Sequence, residues 1–193
     1  MRKTATSRKS TRGGRTKDAR WRGRPSGRPA TGRSEDRPLQ SESASPLRFV
    51  TSDKARVEYA PWGKHSWLSD PKLTGTAGLA LVRVTMPSGT GHQFHTHPEL
   101  EEIIYVIDGV AEQWVDREKC RLKAGEIAFI PKGVVHATHN STKRPLTFLA
   151  ILSPATSKGP FIIDCYNEEP WRSLRTPIMY RAVDPRTGKP VAR

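Results

Sequence analysis

GTGHQFHTHPELEEIIYVIDG, residues 89–109, and GEIAFIPKGVVHATHN, residues 125–140, are the stretches on which the reading of this chain turns. The first leaves five residues between Gly89 and His95-x-His97, four before Glu102 and six before Gly109. The second leaves five residues between Gly125 and Pro131-x-Gly133, two before His136 and three before Asn140. Successive side chains of a β-strand point to opposite faces, so His95 and His97 share a face and Thr96 takes the other. Glu101–Ile107 is rich in strand formers and runs into Asp108-Gly109, a hairpin signal. Glu102, Ile104 and Val106 then share a face, and a carboxylate among apolar neighbours is costly unless it is paired or coordinates a metal. His136 follows the turn Pro131-Lys132-Gly133, which ends one apolar strand and starts another. Any one of these elements is a weak signal; together they define a single mononuclear site. Neutral imidazoles with one carboxylate suit Fe, Mn, Ni, Cu, Co or Zn as a divalent ion, one per chain.

Gly89, His95, His97, Glu102 and Gly109 resemble the first signature motif of the cupin superfamily, and Gly125, Pro131, Gly133, His136 and Asn140 resemble the second. The short separation, fifteen residues between Gly109 and Gly125, is similar to that of small single-domain cupins. The resemblance covers about Leu79 to Pro154. It implies an all-β fold, a single double-sheet β-barrel of the cupin or jelly-roll type. It also implies a metal held inside by His95, His97, Glu102 and His136, with Asn140 a turn residue rather than a ligand. The superfamily spans dioxygenases, decarboxylases, isomerases, storage proteins and sugar-binding regulators, so the signature marks a site and leaves the reaction open.

The rest of the 193 residues divides by composition. Residues 1–45 are expected to be a disordered basic tail, 46–78 an N-terminal arm of short strands, 79–155 the barrel core and 156–193 a C-terminal extension. Residues 1–40 hold thirteen Lys or Arg against three Asp or Glu; of the net charge of +14 this leaves only +4 to the remainder. A segment of Arg, Ser, Thr, Gly and Pro buries too little apolar surface to offset its ordering entropy. It reads as a solvated leader, as a non-specific polyanion contact gaining affinity by counterion release, or as an organelle transit segment. Within the arm, Arg48–Thr51, Arg56–Ala60 and Trp62–Trp67 read as strands. Asp116–Lys119 reads as a polar loop, Phe161–Cys165 as strand-like and Trp171–Leu174 as a helical turn. The longest apolar runs, Ile103–Ile107 and Phe148–Leu152, have strand length, far below the roughly 20 residues of a membrane span. Two cysteines, Cys120 and Cys165, are too few for a disulfide framework, and no secretory signal opens the chain. A cytoplasmic location is expected.

Around the ligand set, His92 is a candidate acid/base or supporting group above the site, and Gln93 and Phe94 are read as lining the approach to His95. Thr138 shares the inward face of His136, whereas His139 should point outward to the surface or an interface; His65 reads as structural. Only one of Gln113 and Trp114 can face in: the amide would orient a substrate, the indole would suit a flat ligand. On Leu79–Met86 the core face is Ala80, Val82, Val84 and Met86, which sends Arg83 outward; were it inside, its guanidinium would clamp a carboxylate. Outward-facing Ile103, Tyr105 and Ile107 predict either a homodimer or a face covered by the C-terminal extension.

Three neutral ligands and one carboxylate leave a divalent site with net charge +1, which favours a small anionic chelating molecule. A metal-dependent enzyme is the leading reading, with dioxygenase-type chemistry first by resemblance and isomerase or decarboxylase chemistry open. Those two need a proton donor, for which Glu99 and Glu101 are near in sequence. The alternatives are a non-catalytic small-molecule-binding or sensing cupin, and a nucleic-acid-associated protein acting through its tail.

Overall fold

The computed structural model describes residues 45–191. The basic segment 1–40 and its expected polyanion contact lie outside them. Eleven strands form two antiparallel sheets that face each other. The six-stranded sheet contains β1 (Arg56–Ala60), β2 (Gly63–Ser69), β3 (Ala80–Met86), β5 (Glu101–Asp108), β8 (Ile127–Ile130) and β10 (Leu146–Ser153), in the order β1-β2-β3-β10-β5-β8. The five-stranded sheet contains β4 (Gly91–Thr96), β6 (Val110–Val115), β7 (Glu118–Lys123), β9 (His136–His139) and β11 (Ile163–Asp164), in the order β11-β4-β9-β6-β7. A single short helix, α1 (Trp171–Leu174), follows among the described residues.

Period-two patterning builds the interior. On β3 the set Ala80, Val82, Val84 and Met86 is buried and Arg83 and Thr85 are exposed, as the apolar alternation requires. Ile104 and Val106 on β5 and Leu146, Phe148, Ala150 and Leu152 on β10 complete one apolar wall. The chain leaves β5 at Gly109, whose φ of +88° an L side chain rarely adopts, and a Cβ there would crowd the Pro145 carbonyl oxygen.

Local expectations fail at two points. Arg48–Thr51 forms no strand, and Glu118–Lys123 is a full strand paired with β6 across the turn at Asp116-Arg117. β7 is an edge strand whose side chains are mostly exposed, so it carries polar residues in place of the apolar alternation of a core strand.

The extension does not cover the outward face of Ile103, Tyr105 and Ile107. Residues 163–174 lie on the opposite sheet, where Phe94, Trp114, Ala137 and Cys165 form a second buried cluster with Trp171, Leu174 and Tyr166 against it, and the later part meets β1, whose Tyr59 N–H donates to the Pro185 carbonyl at 2.7 Å. The outward residues of β9, Ala137 and His139, are buried for that reason, while His136 and Thr138 are buried between the sheets.

Candidate metal centre

The two sheets contribute unequally to the site. His95 on β4, His97 just beyond its end and His136 on β9 come from the five-stranded sheet; Glu102 on β5 comes from the six-stranded one. All four are buried. One ligand atom from each lies within 4.8 Å of every other. Ions bound at roughly 2.1 Å would space neighbouring ligands by about 3 Å and opposite ones by about 4.2 Å, so the set fits around a common centre.

Hydrogen bonding orients the rings. His95 Nδ1 lies 2.7 Å from the Gln93 carbonyl oxygen, His97 Nδ1 2.6 Å from that of Phe161, and His136 Nδ1 3.1 Å from that of Val134. A carbonyl only accepts, so each Nδ1 donates and each neutral ring turns its Nε2 lone pair inward. His95 Nε2, His136 Nε2 and Glu102 Oε2 have no hydrogen-bond partner although they are buried. Glu102 Oε2 lies 2.8 Å from His136 Nε2 and 3.5 Å from His97 Nε2. Buried acceptors converging without donors are what a cation satisfies.

The electrostatics agree in direction. Burial, and after it the neighbouring imidazoles, hold His92 and His95 well below the ordinary histidine value. Burial would raise Glu102, but the facing His136 and His97 overcome it and keep the carboxyl below the usual range. For His97 burial acts downward and the Glu102 carboxylate outweighs it, so its affinity for a proton is raised. A divalent cation would compete for that same lone pair.

Above the ligands lies a cavity of about 320 Å³. His92 lines it, its ring stacked 3.7 Å from that of His95 and 4.2 Å from that of Trp62. Strict alternation would turn His92 and His95 to opposite faces, but the β4–β9 pairing holds an extra residue between them. That bulge admits both rings to one side. Thr138 also lines the cavity, donating to Gln113 Oε1 at 2.7 Å. Gln113 is thus the inward member of its pair, although its amide is taken up by Thr138 and the Trp114 carbonyl and does not line the cavity.

Four candidate residues lie elsewhere. Trp114 and Phe94 sit in the second cluster, on the far side of the sheet from the ligands. Gln93 points the same way and exchanges two hydrogen bonds with the Ile178 backbone, tying down the extension. Arg83 is exposed. His139, expected at the surface, does face outward but is buried under the extension with neither ring nitrogen partnered. It packs so closely on Gly91 that a Cβ there would overlap its ring. Glu99 accepts from the backbone N–H groups of Lys158 and Gly159, and Glu101 is exposed, so neither faces the ligands.

The N-terminal arm supplies what the motifs do not mention. Glu58, Trp62, His65 and Trp67, from the β1–β2 hairpin, line the cavity, and burial depresses His65 to about 4 despite Glu58. Asn140 donates to the carbonyls of Met86 and Arg144 and accepts from Thr142, which makes it the staple of a turn.

Comparison with known proteins points one way. Residues 82–152 match the family described as cupin domain. An uncharacterized protein of Aquifex aeolicus is 41% identical over 84 residues, covering 44% of this chain and 67% of that one. Germin-like protein 1-1 of Oryza sativa is 32% identical over 80 residues, and the match spans only 37% of its length. Among solved structures, oxalate decarboxylase of Lactobacillus farciminis superposes with a TM-score of 0.53 at 21% identity, over 60% of this chain and 35% of that one, a likeness of fold.

Proposed function

The chain belongs to the cupin family, and on that premise we propose that it is a mononuclear metal-dependent enzyme acting on a small organic anion. The observation that carries this reading is the set of buried acceptors without donors, His95 Nε2, His136 Nε2 and Glu102 Oε2, converging beside His97. A bound divalent ion would supply Lewis acidity toward a chelating oxygen and, if redox-active, a route for dioxygen; dioxygenase-type chemistry is the leading reaction. The chain's own residues do the rest. The backbone carbonyls of Gln93, Phe161 and Val134 fix the three imidazoles in the tautomer that leaves Nε2 free. Val82, Val84, Ile104 and Phe148 give the cavity beside the ligand set an apolar wall.

A non-catalytic binding or sensing role is the second reading. It is favoured by the scarcity of proton donors: outside the ligand set, the ionisable side chains lining the cavity are Glu58, Tyr59, His65 and His92. We also propose a homodimer through the bare outward face of the six-stranded sheet.

Elemental analysis tests the site. The wild-type chain should hold one divalent ion, and His97→Ala and Glu102→Ala should hold none; stoichiometric metal in both variants would refute the assignment. Dioxygen consumption with each of Fe, Mn, Ni, Cu, Co and Zn restored separates turnover from binding.

A further inference from the structure

The charge and shape of the cavity narrow the ligand. Among the described residues that line it, none is Lys or Arg. Arg56 lies beside Glu58, but its guanidinium is matched by Glu58 and by Asp70 at 2.9 Å, and it is not a lining residue. The carboxylate of Glu58 itself accepts from Trp67 Nε1 at 2.9 Å and adds a negative charge to the wall. With a divalent ion the ligand set carries +1, enough for one negative charge. A second negative charge would leave the ion, its ligands and the bound molecule at a net −1 among apolar residues such as Val82, Phe148 and Leu152, with no cationic side chain lining the cavity to pair it, which is the costly way to bury a charge.

Most of the remaining lining is apolar or aromatic. Trp62 and His92 stack on each other, 4.2 Å apart and at 12°, so that flat ring surface borders the cavity, while Phe161 and Ile162 close the other flank from the extension. A volume of about 320 Å³ sits at the small end of the range for organic ligands.

Resting on the metal reading above, we infer that the ligand is a compact, flat, apolar molecule that presents one negative charge through adjacent oxygens. An enolate-type or phenolate-type chelate fits this description, and a dicarboxylate does not. The Arg83 guanidinium that, turned inward, would have clamped a carboxylate is outside the barrel.

Calorimetry on the metal-loaded full-length chain tests the inference, with the metal-free chain as control and metal content measured after each titration. The probes are tropolone, a flat monoanion with adjacent oxygens, and oxalate, a dianion with no apolar body. Tropolone should bind the loaded protein at least about tenfold more tightly than oxalate, the order that one apolar contact supplies. Trp62→Ala should weaken tropolone by about the same factor and leave the metal in place. Ile162→Arg, at a rim position that is 40% exposed and therefore tolerant, should shift preference toward oxalate. Loaded protein that takes oxalate as tightly as tropolone, or that surrenders its metal to tropolone in place of forming a ternary complex, would overturn this inference alone. Protein that retains no metal would overturn the ion reading and this inference with it.

Discussion

On the five-stranded sheet the outward residues Phe94, Trp114 and Ala137 are buried beneath the C-terminal segment of the same chain. On the six-stranded sheet the outward residues Tyr105, Ile107, Ile127 and Phe129 are 38–52% exposed. Cross-strand pairs such as Tyr105 with Ile127 and Ile103 with Phe129 make the bare apolar face continuous. The inward faces of the two sheets differ in the opposite sense, since the covered sheet carries the imidazoles of His92, His95, His97 and His136, whereas the bare one carries a largely hydrocarbon wall broken by Glu102 and, from the β1–β2 hairpin, by Glu58 and His65. The difference is physically sensible. Strands that bring polar groups inside gain little from burying that side, so they depend on the cluster behind them.

The sharpest way to break this comparison is to empty the covered side. Phe94→Ala or Trp114→Ala should cost about 3–5 kcal/mol in denaturant unfolding, the usual toll for deleting a buried aromatic. Metal affinity should fall with it, because Phe94 precedes His95 on the same strand and fixes its backbone. Tyr105→Ala or Phe129→Ala, made on half-exposed positions of the bare sheet, should stay within roughly 1 kcal/mol in the isolated chain. Equal losses on both sheets would mean that the bare face is in fact covered in solution.

A gentler probe of the covered side is pH. Burial first, then the nearby Arg175, depress His139 from 6.5 to about 3, with Glu112 opposing. Below 6.5 the unfolded chain takes up a proton that the native ring refuses until about 3. Stability contributed by the neutral ring is therefore complete above 6.5 and drains away as pH falls toward 3, and His65 adds the same trend down to about 4. His139→Phe keeps the ring shape and forfeits no hydrogen bond, since neither nitrogen has one. Thermal melts of the variant should show a shallower decline between pH 6 and 4 than wild type; parallel declines would show that His139 is not the group responsible.

The same contrast explains what could be read in advance. Alternation placed Ala80, Val82, Val84 and Met86 inward and Arg83 outward because those depend only on neighbouring residues. The convergence of His95, His97, Glu102 and His136 was legible because turn glycines and strand parity set it over short distances. Parity also put His139 and Trp114 on outward positions or left them there as an option, yet it could not say that residues 163–174 would return to bury them. Nor could it place Trp62 and His65 in the cavity, because the arm joins through β2–β3 pairing, remote from either motif. The β4 bulge that admits His92 breaks the parity rule itself, and nothing in GHQFHT announces it.

The smallest expected effect on the folded chain bears on the bare sheet. Phe129→Glu places a charge on an edge strand at a side chain that is 51% exposed, so the isolated protomer should change by no more than about 0.5 kcal/mol. Its consequence for association should be much larger. A stable pair needs on the order of 800 Å² from each partner with charges kept out of the centre, and Phe129 lies across from Ile103 within the apolar continuum. Sedimentation equilibrium should give twice the chain mass for wild type and the chain mass for Phe129→Glu, with melting temperatures that converge on dilution. A wild-type chain that sediments as a monomer at every concentration would show that the bare face is left to water or to another partner, and the asymmetry between the sheets would then need a cause other than self-association.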